Sequence, residues 1–268
     1  MVSLGASNPV IQSREQHRRN GERAVFDDRI DAGQQLAAGL QEYVGDPDAV
    51  VLSLSRGGAV VAAVVAEGLG VPHFHYMVRP IPCATMPRLS LGSVAGDGSV
   101  RIDNTVAKSL GIVCEEQEGA AAAAAAADAS GSNAALMRAI EQVDERLQAE
   151  QGAFWRARPC SRDLLDRTLL VMDDGMEAGD TAREAILHLR HCYQPSRIVV
   201  AVPVCSADLR WQLMRRHAVR VVNIVAPLFV GSIARWYARG VAASEAEQTL
   251  LARLFVGPAA TVGEFDYD

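Results

Sequence analysis

Two neighbouring carboxylates, Asp173 and Asp174, stand at the end of a short apolar run in the string LLVMDDGMEAGDTAREAI, Leu169 to Ile186. Glycines follow at 175 and 179, then the hydroxyl of Thr181, then Ala182, Ala185, Ile186 and Leu189 at helical spacing. The run reads as a buried strand, the glycine-bearing stretch as a tight loop and the periodic stretch as a helix. A helix start offers unpaired N–H groups and a positive dipole end, which suits a phosphate. Glycine lets backbone approach an anion closely, and Thr181 can donate its hydroxyl. Acids turned away from that anion suit sugar hydroxyls or a hydrated Mg²⁺. The chemistry implied is the grip on a phosphorylated sugar. The alternative is a plain turn of a parallel α/β sheet.

A second string of the same kind lies upstream. The apolar run Ala49 to Leu54 (AVVLSL) ends in Ser55-Arg56-Gly57-Gly58, and a helix is expected from Ala59 to Leu69. Arg56 can make charge-assisted contacts to a diphosphate, and Gly57 and Gly58 would let backbone amides reach it. By itself an Arg-Gly-Gly could equally be a structural turn.

Taken together, the two strings resemble the phosphoribosyl-diphosphate (PRPP) motif and the diphosphate loop of type I phosphoribosyltransferases, over residues 26 to 255. The resemblance implies that Asp173 and Asp174 hold the ribose hydroxyls and meet a metal only indirectly, through PRPP or water. It implies that Glu177, Ala178, Gly179, Asp180 and Thr181 cradle the 5′-phosphate, with Glu177 also moving a proton at the base. Ser55, Arg56, Gly57 and Gly58 would take the diphosphate, and the Ser55–Arg56 peptide is the candidate for a strained, non-proline cis bond. Two departures stand out. Asp180 puts a carboxylate beside the phosphate pocket. Where such proteins often carry a lysine after the second strand, this chain reads Arg79-Pro80, its one lysine being Lys108. Arg79 and Arg88 are the substitute clamps, since guanidinium can grip diphosphate oxygens. Trp236 would face the base or pack in the core.

The activity so implied is displacement of diphosphate from C1 of PRPP by a nucleobase-like acceptor, with Mg²⁺ as cofactor and Arg56 neutralising the leaving group. Pro80 and Asp180 favour the alternative, a non-catalytic sensor of PRPP or nucleotide on the same fold. A hydrolase or another phosphosugar-binding protein is a third reading. Homodimers are common among proteins of this resemblance.

The elements that must position these groups alternate strand and helix. Strands are expected at 49–54, 73–78, 100–102, 169–172, 197–202 (ended by Pro203) and 219–225, and helices at 26–43, 59–69, 104–110, 134–155, 182–189, 207–217 and 244–254. This pattern predicts an α/β fold, a parallel sheet flanked by helices, with a small hood built from the N- and C-terminal segments. Ligands then sit beyond the strand C-termini, so the strands ending at Ser55 and Asp174 should be neighbours. Arg79 to Arg101 holds Pro80, Pro82 and Pro87 and reads as a long irregular lid. His73 and His75 alternate onto one strand face without a third metal ligand in view, as surface histidines do.

Residues 1–24 read as a disordered arm, 25–256 as the domain, 115–157 as a helical insertion and 257–268 as a tail. The insertion holds eight consecutive alanines, Ala120 to Ala127, and then a helix with the apolar stripe Leu136, Ile140, Val143, Leu147 and Phe154. With 49% hydrophobic residues and a net charge of −6, the 268-residue chain has a globular composition and lacks the basic balance of a nucleic-acid binder. No apolar run reaches membrane-spanning length. The five cysteines have no C-x-x-C pair and read as reduced thiols, so a cytoplasmic setting is expected.

Overall fold

Alternation along the three central apolar runs builds the middle layer of the molecule. In the computed structural model, which describes residues 24–83, 86, 89–110, 131–152 and 161–254, strands β1 (Ala49–Ser53), β6 (Thr168–Met172) and β7 (Arg197–Val204) lie side by side and parallel. Ala49, Val51, Leu170, Met172, Val199 and Ala201 face one side and bury against α1 (Arg29–Ala38) and α2 (Arg56–Leu69) through Leu36, Val61 and Val65. Val50, Leu52, Leu169, Val171, Ile198 and Val200 face the other, against Ile186 and Leu189 of α6 (Asp180–Tyr193) and Leu209 and Leu213 of α7 (Ala207–His217). A strand buried on both faces must be apolar at every position, which is what these runs are.

The sheet is completed by β2 (His73–His75) and β8 (Arg220–Val225), in the order β2-β1-β6-β7-β8, with all pairs parallel. From β1 the chain crosses to β2 on one side, while β6 to β8 build outward on the other. The switch in direction falls between β1 and β6, the two strands that end in the chemically distinctive strings. Their register pairs Ser53 with Met172, so Ser55 and Asp174 leave the same edge of the sheet.

Several expectations are corrected. Helix α2 begins at Arg56 rather than Ala59, because Ser55 caps it by accepting from Gly58 N at 2.9 Å. Strand β7 runs through Pro203 to Val204. Its pairing with β6 already ends at Ala201, so the absent N–H costs nothing on that side. The second strand stops at His75, and Val78 starts a different sheet. His75 is buried rather than a surface histidine.

Most of the described residues of the expected lid lie in strands. Strands β3 (Val78–Pro82), β4 (Ser90–Ala95) and β5 (Val100–Ile102) form an antiparallel sheet in that order. Pro80 and Pro82 fit because β3 is an edge strand with a register shift between them. With α3 (Asn104–Ser109) and α4 (Gly131–Gly152) this sheet has its own core of Ile81, Leu91, Val94 and Ala107 under the stripe Leu136, Ile140, Val143 and Leu147. The Ala120–Ala127 run, Phe154, residues 1–23 of the N-terminal arm and the tail lie outside the described residues. A short helix, α5 (Ser161–Leu164), leads into β6.

The last described segments return to the first. A 3-10 turn (Ile233–Trp236) is followed by α8 (Glu245–Leu254), and Leu251 buries with Val60 of α2 and Ile30 of α1. Among the described residues no helix is long and apolar enough to cross a membrane.

Burial of neutral imidazoles makes the fold sensitive to acid. His75 and His188 are both held down to about 3 by burial. The unfolded chain takes these protons near the ordinary value of 6.5 and the folded one does not. Stability therefore falls as pH drops from about 6.5, by up to ~1.4 kcal/mol per pH unit for each histidine. Urea denaturation between pH 7 and pH 5 should show this slope, with the ¹⁵N resonances of both rings staying at neutral positions. Rings titrating near 6.5 in the folded protein would refute it.

Candidate functional site

The acid pair sits where β6 ends. Asp174 is 4% exposed and Asp173 only partly buried. Asp173 Oδ1 accepts from the Asp174 amide at 3.0 Å and from the Ser55 hydroxyl in a short bond. Ser55 thus caps α2 with its lone pairs and spends its proton on Asp173, which links the two strings through one oxygen. Burial, and then the charge of Asp174, raise the Asp173 carboxyl to about 7. Burial raises Asp174 too, and the Arg29 guanidinium pulls the other way.

Arg29 comes from the first turn of α1. Its Nε meets Asp174 Oδ2 at 2.8 Å, and its guanidinium lies 4.6 Å from the ring centre of Tyr237. Its Nη1 is 3.6 Å from Glu247 Oε1, the same oxygen that accepts from the Arg29 amide at 2.8 Å. Glu247 is fully buried and also accepts from the Ser244 amide, while Ser244 Oγ accepts from the Glu247 amide at 3.2 Å. Ser244-Glu245-Ala246-Glu247 is therefore a capping box at the start of α8. Tyr237 donates its hydroxyl to the Asp174 carbonyl at 2.5 Å.

Glycine at 57 and 58 has a steric cause. A Cβ on Gly57 would fall 2.6 Å from Asp174 Cγ, and one on Gly58 would fall 2.8 Å from both Asp173 Cα and Oδ1. The helix start lies directly against the acid pair, and no side chain fits between. The peptide between Ser55 and Arg56 is trans, since no cis bond occurs among the described residues; the cap geometry at Ser55 (φ −135°, ψ 171°) suffices to turn strand into helix.

Beyond the pair, Met176 N bonds the Val204 carbonyl at 2.9 Å, and the chain turns into α6 through Gly179 at φ 73°. Glu177, Ala178 and Thr181 are exposed. No side chain caps α6, whereas Asp28, Ser55, Asp103 and Ser206 cap α1, α2, α3 and α7. Asp180 is turned to solvent, its side chain 79% exposed and ion-paired with Arg183.

The predicted residues thus divide. Ser55, Arg56, Gly57, Gly58, Asp173 and Asp174 come together at the β1–β6 edge, with the 177–181 turn following on the same strand end. Arg79 lies in β3 opposite Val94, with Nη1 3.3 Å from the Val78 carbonyl, rather than on a mobile loop. Arg88 lies outside the described residues. Trp236 is 1% exposed and donates to the Val230 carbonyl at 2.9 Å, so core packing describes it. Arg29 and Glu247 escaped the sequence reading. Both left traces: Arg29 falls on the buried stripe of α1 with Ala32, Gly33 and Leu36, and Glu247 completes an S-x-x-E signature.

The chain matches no protein-family model. It is 29% identical over 214 residues to proteins from two strains of Mycobacterium tuberculosis, each named "Putative phosphoribosyl transferase". The matched stretch is 80% of this chain but 43% of those proteins, so the chain spans less than half the length of the curated relatives it matches. The crystal structure of TT1426 from Thermus thermophilus shares the fold with a TM-score of 0.62 and 26% identity, covering 87% of this chain and 99% of that one. The fold and these likenesses define an α/β protein similar to the proteins that carry that name and to TT1426.

Two predictions follow from the packing. Gly57→Ala should destabilise the protein by ~1–3 kcal/mol, the cost of overpacking, read by chemical denaturation; a neutral result would mean the helix start is not confined by Asp174. For Asp173, the unfolded chain ionises first as pH rises above about 4, so this acid lowers stability between there and about 7 and keeps it lowered above. Asp173→Asn should accordingly raise the melting midpoint at pH 8 by on the order of a few degrees and change it little at pH 4. A drop at pH 8 would refute the assignment.

Proposed function

We propose that the chain binds PRPP at the adjoining ends of β1 and β6 and, with Mg²⁺, transfers its phosphoribosyl group to a nucleobase-like acceptor, releasing diphosphate. The observation that carries this reading is the convergence of the Ser55–Gly58 helix start and the Asp173–Asp174 pair on neighbouring strand ends, joined by the Ser55–Asp173 hydrogen bond. The uncapped α6 N-terminus, with Gly179 and Thr181, offers amides and a hydroxyl to the 5′-phosphate. The ribose hydroxyls lie at the acid pair, and Arg56 with the α2 N-terminus faces the diphosphate.

Carboxylate oxygens are the donors a hard cation takes, so Asp173 and Asp174 fit Mg²⁺. In this reading the ion is held largely by PRPP and water, with the acid pair beside it. Bound there, Mg²⁺ supplies neutralisation of the leaving group's charge. As the C1–O bond breaks, positive charge on the ribose ring lies near the acid pair, and the acceptor nitrogen forms the new bond at C1. In this reading Glu177, exposed on the loop, takes the acceptor's proton.

A non-catalytic sensor is the second reading, favoured by Arg79 lying in β3 rather than on an open loop. Diphosphate release from PRPP with Mg²⁺ over a panel of nucleobases tests both. We expect release that depends on one acceptor and is lost, by ~100-fold or more, in Asp173→Asn. PRPP binding without release would make the protein a sensor. Absence of PRPP binding would overturn both readings.

A further inference from the structure

The two carboxylates of the site are held in different ways. Asp174 is buried, its Oδ2 is committed to Arg29 at 2.8 Å, its carbonyl takes the Tyr237 hydroxyl, and Gly57 is pressed against its carboxyl group. Asp173 keeps part of its surface open and is held by a hydroxyl and an amide, both neutral donors. We propose that Arg29 is the positioning residue of the pair: it holds Asp174 as an inward anchor and leaves Asp173 as the carboxylate that meets the ligand's hydroxyls. This rests on the PRPP reading and divides labour within it.

A ribose hydroxyl reaching Asp174 Oδ2 would have to compete with a charge-assisted bond at a point where a methyl group on Gly57 would not fit. The same hydroxyl meets Asp173 without displacing a charge. Arginine suits the role because its planar fork acts in several directions at once. Nε serves Asp174, Nη1 faces Glu247, and the guanidinium face lies over Tyr237. Glu247 is fixed in turn by its capping box, so α1 and α8 close on the acid pair from behind. A lysine keeps the charge and loses the fork.

The test uses the full chain and isothermal titration with PRPP in Mg²⁺, at a temperature where every variant is folded. Asp173→Asn should lose PRPP affinity by about 100-fold or more with its melting midpoint unchanged or raised. Arg29→Met and Asp174→Asn should each weaken binding by roughly 10-fold, and their double variant should be no weaker than either, because both remove one contact. Arg29→Lys, which also serves if Arg29→Met fails to fold, should fall between wild type and Arg29→Met. A purely structural Arg29 would lower the midpoint and leave affinity untouched, which would overturn the proposal. So would Asp174→Asn losing as much affinity as Asp173→Asn while Arg29→Met loses none. If the wild type binds no PRPP, the functional reading fails and stability decides the arrangement. Arg29→Met and Asp174→Asn must then be non-additive; additivity of that pair overturns the inference.

Discussion

Two adjacent carboxylates at the end of a buried strand repel each other and lose hydration together, and the architecture around them answers both costs. Asp174 is compensated by a buried guanidinium; taking away one partner of such a pair costs about 3–5 kcal/mol, because the other charge is then stranded. Burial and the Asp174 charge hold the Asp173 carboxyl well above the ordinary range, and the Ser55 hydroxyl and a backbone amide offset this only in part. The start of α2 must come close enough to supply that hydroxyl, and the approach leaves no room for side chains at 57 and 58. The Arg-Gly-Gly string, the acid pair and the two terminal helices are thus parts of one electrostatic arrangement.

Helix α6 carries that arrangement outward. Its first turn follows the acid pair, and its later turns hold the second sheet through polar contacts. Arg101 Nη2 meets Glu184 at 2.8 Å, Ser93 bonds His188 Nδ1 at 2.9 Å, and Ser99 bonds His188 Nε2 at 2.8 Å. His188 is fully buried between two serines, so neutrality of its ring is part of the fit. The antiparallel unit has an apolar core of its own and meets α6 through hydrogen bonds and an ion pair, while Val78 and Ala95 at its inner end join the core that holds Ile186 and Leu189.

The central sheet was legible because burial on both faces leaves an unambiguous apolar run, and the strand-order switch followed from the two loop strings alone. The antiparallel sheet was hidden. Its prolines sit on an edge strand, where they are harmless, and proline-rich composition reads as loop unless the edge is known. Gly92, inside β4, hid it further: at φ 152° it lies against the Arg101 carbonyl, a close backbone approach that sequence registers only as a breaker. Within the site, contacts local to one string were readable and contacts across the chain were not. Arg29 and Asp174 are 145 residues apart, and nothing in a single sequence pairs a helix arginine with a distant acid.

The two departures from the family pattern carry unequal weight. Asp180 would oppose a phosphate only if its carboxylate faced the pocket; exposed and paired with Arg183, it is screened by solvent and by a neighbouring cation. That objection to ligand binding loses its force. The Arg79-Pro80 departure is more consequential. Proline is accommodated at the sheet edge, but Arg79 lies against its own strand's carbonyl, with its charge felt by His75. In the proposed reaction, charge on the departing diphosphate therefore falls to Arg56, to the positive end of α2 and to the metal. A site whose leaving-group cation is the first residue of a helix packed on the acid pair would couple bond breaking to the same contact that places the ribose. The chemistry then depends on how firmly the helix start and the carboxylates are held together, which returns the question to Ser55, the two glycines and Arg29.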